Sequence, residues 1–339
     1  MNIPEPSRPR RIDMHVHLVG NGSAGTGCWY EPTGLTRLLQ PVMLRAMGLP
    51  AAALSGDFDR IYRDRLVELV RGSSLDAAVL LAHDRVYRDD GAAWEGRGTF
   101  HVPNDYVLAL AREHACFLPA VSIHPGRPDA LDELERCLAA GAVALKLLPN
   151  CHNVDCARPA YAPFWARMAE AGLPLIAHTG CESTVDEARP DLAHPHNLLA
   201  PLRAGVKVIA AHCGTGKPGL GREWFHVWRA MLRDHPNLYG DISALSIPGR
   251  DRFLPLCRHA GVAERVLHGS DVPVPVFAWP ALARKRIRFR QYLALRRERN
   301  PLERDYALKR MMGFDDRMFA TAERVLRLAR PEQTAARSA

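Results

Sequence analysis

Short runs rich in Val, Ile and Leu recur along the chain, each followed by a polar or glycine-bearing turn and then by a stretch with helical spacing. Eight such runs stand out as strands, over residues 11–18, 77–83, 117–124, 143–148, 174–178, 207–212, 238–242 and 266–271. Between them, apolar residues repeat at three- and four-residue intervals over 60–71, 105–113, 130–140, 161–171, 195–204, 224–234 and 251–259, which predicts helices. Near-continuous apolar strands alternating with helices belong to parallel sheets buried on both faces. The pattern therefore predicts an α/β protein in which eight units close into a (β/α)8 TIM barrel. An open doubly wound sheet alternates similarly, but it carries a glycine-rich phosphate turn between its first strand and helix. The glycines of Asn21 to Gly27 do not open a helix in that way.

The longest stretch without periodicity, residues 19–59, follows the first strand directly. An insertion at the carboxyl end of a barrel strand lies over the mouth, so it is expected to act as a lid or wall. A single domain is expected, with a barrel core over 11–275, additional helices within 276–328 (notably 304–311 and 316–328) packed outside it, and a flexible tail over 329–339.

Composition narrows the class. With 339 residues, 47% hydrophobic and 24% charged, the chain has material for a large core and is not disordered, collagenous or a coiled coil. Its apolar runs fall short of the roughly 18 residues that cross a bilayer, and the opening MNIPEPSRPRR lacks the apolar stretch of a secretion signal. A soluble cytoplasmic protein with no membrane partner is expected. Eight cysteines (28, 116, 137, 151, 156, 181, 213 and 257) include no C-x-x-C pair and are expected to be reduced core thiols. The net charge of +8 is concentrated: Arg284 to Asn300 holds eight Lys/Arg against Glu298, or +7, leaving the remainder near +1. That segment predicts a solvated helix face or a contact in a homo-oligomer rather than a nucleic-acid partner.

The predicted strands end on metal-ligating residue types. His15 and His17, two apart on the first strand, project from one face and can converge on a divalent ion. The fifth strand stops on His178 in LIAHTG and the sixth on His212 in IAAHCG. Uncompensated imidazoles at the ends of apolar strands would cost free energy, so a shared partner is expected. Asp271, in LHGSDVP, can ligate through one oxygen and accept a proton from water through the other. Lys146, inside VALKLLP, has three open roles: a carbamate bridging two ions, an amine or ammonium binding an anionic substrate, or an outward side chain. His83, His124, Asn150, His152 and Asp241 near strand ends, with Trp29, Tyr30 and Asn104 from loops, are candidates for shaping the pocket.

The motifs IDMHVHL, ALKLLPN, LPLIAHTG, VIAAHCG and LHGSDVPVP, in this order between residues 12 and 275, resemble the amidohydrolase superfamily, in particular its metal-dependent "amidohydrolase 2" branch. The resemblance implies a distorted barrel with one or two divalent ions, commonly zinc, held by His15, His17 and Asp271, with His178 and His212 as further ligands in a two-ion site. In single-ion decarboxylases of the family the position of His178 is a ligand and that of His212 is catalytic. A lysine at 146 matches families with a carboxylated lysine and speaks against the related deoxyribonucleases, which carry glutamate there.

The expected activity is hydrolysis of a small ester, lactone or amide by metal-activated water, with Asp271 and His212 as catalytic groups. The alternative on the same scaffold is a decarboxylase, other lyase or hydratase acting on an aromatic or unsaturated acid. A non-enzymatic binding module is the third possibility, against which the intact ligand set argues.

Overall fold

The computed structural model describes residues 8–216 and 222–328. The tail from 329 onward and the first seven residues lie outside that range. Eight parallel strands are hydrogen-bonded in chain order: β1 (Ile12–His17), β2 (Ala77–Leu81), β3 (Phe117–Val121), β4 (Ala144–Leu147), β5 (Leu175–His178), β6 (Val208–Ala211), β7 (Leu238–Asp241) and β8 (Val266–Leu267). Helices cover the outside, and their apolar faces form one large buried cluster with the outward-facing strand residues. This is the TIM barrel that the alternation of strands and helices predicts.

Closure uses a segment longer than β8. Backbone bonds run from Met14 N to His268 O (3.0 Å), from Asp271 N to His15 O (2.9 Å) and from His17 N to Val272 O (2.8 Å). The strand expected over 266–271 is regular only at Val266–Leu267, because the chain turns through a left-handed conformation at Asp271 (φ 68°). That turn directs the Asp271 carboxylate toward the mouth while its N–H still pairs with β1.

Inside the barrel, Ile12, Met14, Val79, Ala120, Ile176 and Ile209 belong to a second apolar cluster, to which helix Asp316–Val325 adds Ala322 and Val325. This helix closes the amino-terminal end of the barrel. Its exit is fixed by Arg327, whose backbone N–H donates to Val143 O and whose guanidinium donates to Ala142 O. The preceding helix, Pro301–Met311, starts with Pro301 behind Asn300, whose side chain accepts from the N–H groups of Leu302 and Glu303. Its Lys309 and Asp305 form a buried ion pair, and Lys309 also donates to Gly269 O (2.7 Å).

Two expectations need correction. Residues 19–59 are not irregular: they contain helix Gly34–Ala46 and a short 3-10 helix, Ala51–Ser55. The loop before them is held by buried Asp59, which accepts from Asn21 N (2.6 Å), Gly22 N (3.2 Å) and the Thr26 hydroxyl (2.5 Å). Second, the helix expected over 251–259 is a 3-10 helix, Asp251–Arg258, interrupted by Pro255, which cannot donate a backbone hydrogen bond. Among the described residues no helix is long and apolar enough to cross a membrane.

Candidate metal centre and pocket

A register shift in β1 between Asp13 and Val16 sets the geometry of the site. Ile12 and Met14 lie in the inner cluster, whereas Val16 and Leu18 pack in the outer one, so the shift turns both His15 and His17 inward. Asp13 supports this bend by accepting from His15 N and Ser270 N, each at 3.0 Å.

The inward side chains meet at the carboxyl end of the barrel. His15 Nε2 lies 3.3 Å from His17 Nε2, and each is 3.2 Å from Asp271 Oδ1. One ligand atom each from His15, His212 and Asp271 falls within a mutual 4.8 Å. The rings of His212 and His15 are 5.2 Å apart between centroids, and His178 lies 5.1 Å from His212. Lys146 follows the inner residue Ala144 by two positions and is 1% exposed, with Nζ 3.1 Å from His15 Nε2. The outward placement of Lys146 is thereby excluded.

Residues behind the rings fix their tautomers. Asp241 Oδ2 accepts from His15 Nδ1 at 2.8 Å, which leaves the Nε2 lone pair facing the site. The Ser243 carbonyl accepts from His212 Nδ1 at 3.0 Å with the same result. Asp241 also accepts from His212 N, Ser243 N and the Ser243 hydroxyl. His178 Nδ1 lies 3.6 Å from Glu182, and its buried Nε2 has no hydrogen-bond partner.

The electrostatics suit a cation. Burial lowers the pKa of His17, His178 and His212, to about 4 for His212, so these rings are neutral bases. Burial alone would raise the Asp271 carboxyl, but His212, His15 and His17 hold it below the usual carboxylate range. Burial brings the Lys146 ammonium down to about 8, against the opposing pull of Asp241 and Asp271. Neutral imidazoles, an ionised carboxylate and an unpartnered buried ring nitrogen are the donor set a divalent ion requires.

The family model described as Amidohydrolase matches residues 12–304, which spans β1 through β8 and every strand-end residue just described. The chain belongs to the amidohydrolase family. It is an enzyme fold-mate of several solved barrels, although no curated protein matches it in sequence. An uncharacterized TIM-barrel protein from Bordetella bronchiseptica is 18% identical, with 92% of this chain and 99% of that one covered and a TM-score of 0.57. A 5-carboxyvanillate decarboxylase from Sphingomonas paucimobilis is 14% identical, with coverage of 94% and 99% and a TM-score of 0.56. A probable 2-pyrone-4,6-dicarboxylic acid hydrolase from Acinetobacter baumannii is 12% identical, with coverage of 92% and 95% and a TM-score of 0.53. At these identities the likeness is one of fold.

In this amidohydrolase, His17, Lys146, His178, His212 and Asp271 line one pocket, and His15 is buried just behind them. Helix Gly34–Ala46 supplies a wall of the pocket through Gln40, Met43 and Leu44. Of the residues expected to shape the pocket, only Tyr30 lines it. Asp241 instead stands behind His15 and His212, and Asn104 begins helix Asn104–Glu113, where it accepts from Ser122 N. His83 and His152 pair with each other: Leu148 N donates to His152 Nδ1, so His152 Nε2 carries the proton shared with His83 Nε2 at 3.2 Å. His124 accepts from Gly126 N, Asn150 donates to Glu187, and Trp29 stacks on His101.

Three residues near the centre escaped the sequence reading: Ser243, Glu182 and Arg250. Each lies beyond a strand end, in a loop without a periodic signal. Arg250 is buried, donates to Cys181 O (2.5 Å), and lies within the electrostatic reach of Glu182 and Asp271. The basic segment is partly absorbed by the fold, since Arg284 and Arg286 both pair with Asp251.

Proposed function

We propose that the chain hydrolyses a small ester, lactone or amide, with one or two divalent ions, zinc foremost, held by residues drawn from His15, His17, Lys146, His178, His212 and Asp271. The observation that carries this reading is the convergence of His15 Nε2, His17 Nε2 and Asp271 Oδ1 within 3.3 Å, with Asp241 orienting His15 from behind. When bound, the ion supplies a Lewis acid for the scissile carbonyl and acidifies the attacking water.

Asp271, ionised and in the pocket wall, takes a proton from that water as its oxygen adds to the carbonyl carbon. The bond from that carbon to the leaving oxygen or nitrogen then breaks, and Asp271 returns the proton to the leaving group. His212, held by Ser243, faces the same space with an unprotonated Nε2 and accepts a hydrogen bond from the attacking water. Lys146 supplies a base, a cation or, after reaction with CO2, a carbamate at the floor. The apolar walls exclude bulk water from these groups.

The test is metal analysis of the purified protein together with turnover of aryl esters and lactones by wild type, His15→Ala and Asp271→Asn. His15→Ala is expected to lose both metal and turnover; Asp271→Asn should lose turnover by at least about 100-fold while keeping more of its metal. Release of CO2 from carboxylated aromatics without ester or lactone hydrolysis would replace the proposal with a decarboxylase.

A further inference from the structure

The walls of the pocket carry information that its floor does not. His17, Lys146, His178, His212 and Asp271 form one polar end. The insertion lines the space above with Met43, Leu44, Met47, Leu54 and Phe58, and the facing loops add Phe100, Leu148, Val185 and Val274.

The polar groups among these walls are largely engaged within the protein. The Thr36 hydroxyl donates to Thr184 O at 2.9 Å, and the Tyr62 hydroxyl donates to His17 O at 3.0 Å. The Thr184 hydroxyl donates to Glu182 Oε1 at 2.6 Å, an oxygen that also accepts from Ser183 N and Thr184 N. Half-buried Tyr30 and Gln40 are the remaining polar wall residues. No arginine lines the pocket among the described residues; Lys146 is its one ammonium or guanidinium group, and it sits beside His15 at the floor.

Among the described residues, an anionic or strongly polar head is compensated only at the floor. A second carboxylate further along the ligand would lie among Met, Leu and Phe side chains with no cation of the described residues to pair with, whereas an apolar body would replace water there favourably. We propose that the substrate has a single polar head, the scissile ester, lactone or amide, attached to a hydrophobic aryl or alkyl body, and that dicarboxylates are excluded. This deepens the hydrolytic reading and rests on the same floor.

Product-like acids test the point without requiring turnover. Calorimetric titration of the zinc-reconstituted full chain is expected to show 3-butylbenzoate (butylbenzoate below) binding at least about tenfold more tightly than isophthalate, which places a second carboxylate where the first has its butyl group. Met43→Arg, a change on the half-buried face of helix Gly34–Ala46, is expected to narrow or reverse the preference by supplying the missing cation. Isophthalate binding as tightly as butylbenzoate in wild type, or no binding of butylbenzoate up to its solubility, would overturn the proposal. The wild-type comparison decides the matter even if the variant fails to fold. A clear preference for butylbenzoate in a protein that hydrolyses no ester would retain this assignment of the pocket and remove the hydrolysis.

Discussion

The Asp241 carboxylate accepts a hydrogen bond from His15 Nδ1 at 2.8 Å, joining residues 226 positions apart in the chain and both fully buried. One oxygen of Asp241 holds the His15 ring, while the other accepts from the backbone of His212 and from Ser243. A single carboxylate therefore holds the ring of His15 and the backbone of His212, whose own ring is held by the Ser243 carbonyl. Asp241→Asn is expected to weaken zinc binding by about 10- to 100-fold, measured by competition with a chromophoric chelator, while circular dichroism stays native. Unchanged affinity would mean that His15 is oriented by packing alone.

Lys146 is placed to act on whatever occupies the floor. Lys146→Ala should reduce turnover by at least about 100-fold, and chemical rescue then separates its roles. Restoration by small primary amines identifies the amine or ammonium; restoration by short carboxylates identifies a carbamate. Wild-type rates in the unrescued variant would remove Lys146 from the site chemistry.

The buried pair Lys309–Asp305 gives a stability prediction with a definite pH sense. Burial pushes the Asp305 carboxyl up to about 7, although Lys309 pulls it the other way. A native pKa above the unfolded value of about 3.9 favours the folded state at low pH, and that advantage is lost as pH rises through about 7. Lys309→Met removes the opposing cation, so it should destabilise by about 3–5 kcal/mol near neutral pH and by clearly less near pH 5, where Asp305 can remain protonated. Urea unfolding at about pH 5 and about pH 8 reads the difference. An equal loss at both would contradict this account of the pair.

Asp59 ties down the loop that carries the pocket wall. Asp59→Ala removes several hydrogen bonds to a buried carboxylate and is expected to cost about 1–3 kcal/mol, with a larger effect on KM than on kcat because the chemistry of the floor is untouched. A fall in kcat with KM unchanged would instead couple the insertion to the catalytic groups themselves.

The barrel was largely legible because its apolar runs alternate with helical spacing. Apolar runs that lead to His178, His212 and Asp271 point to one end of it, and all three residues line the pocket there. The face occupied by Lys146 was not legible, since it depends on strand parity that only the barrel register fixes. Helix Gly34–Ala46 escaped notice because it contains Pro41, has no acidic residue in its first turn and lacks a side-chain cap. Asp241 could be located at a strand end but not assigned to the reverse side of the imidazoles. That role becomes visible only when β7 is seen beside β8, with the chain after β8 closing onto β1.

The helix that stoppers the barrel from below follows all eight strands in order of synthesis. A chain that stops short of this helix therefore lacks Ala322 and Val325, the side chains that cover the base of the inner cluster. Loss of the helix, by truncation before residue 316, is thus expected to expose apolar surface at the foot of the barrel and to promote aggregation.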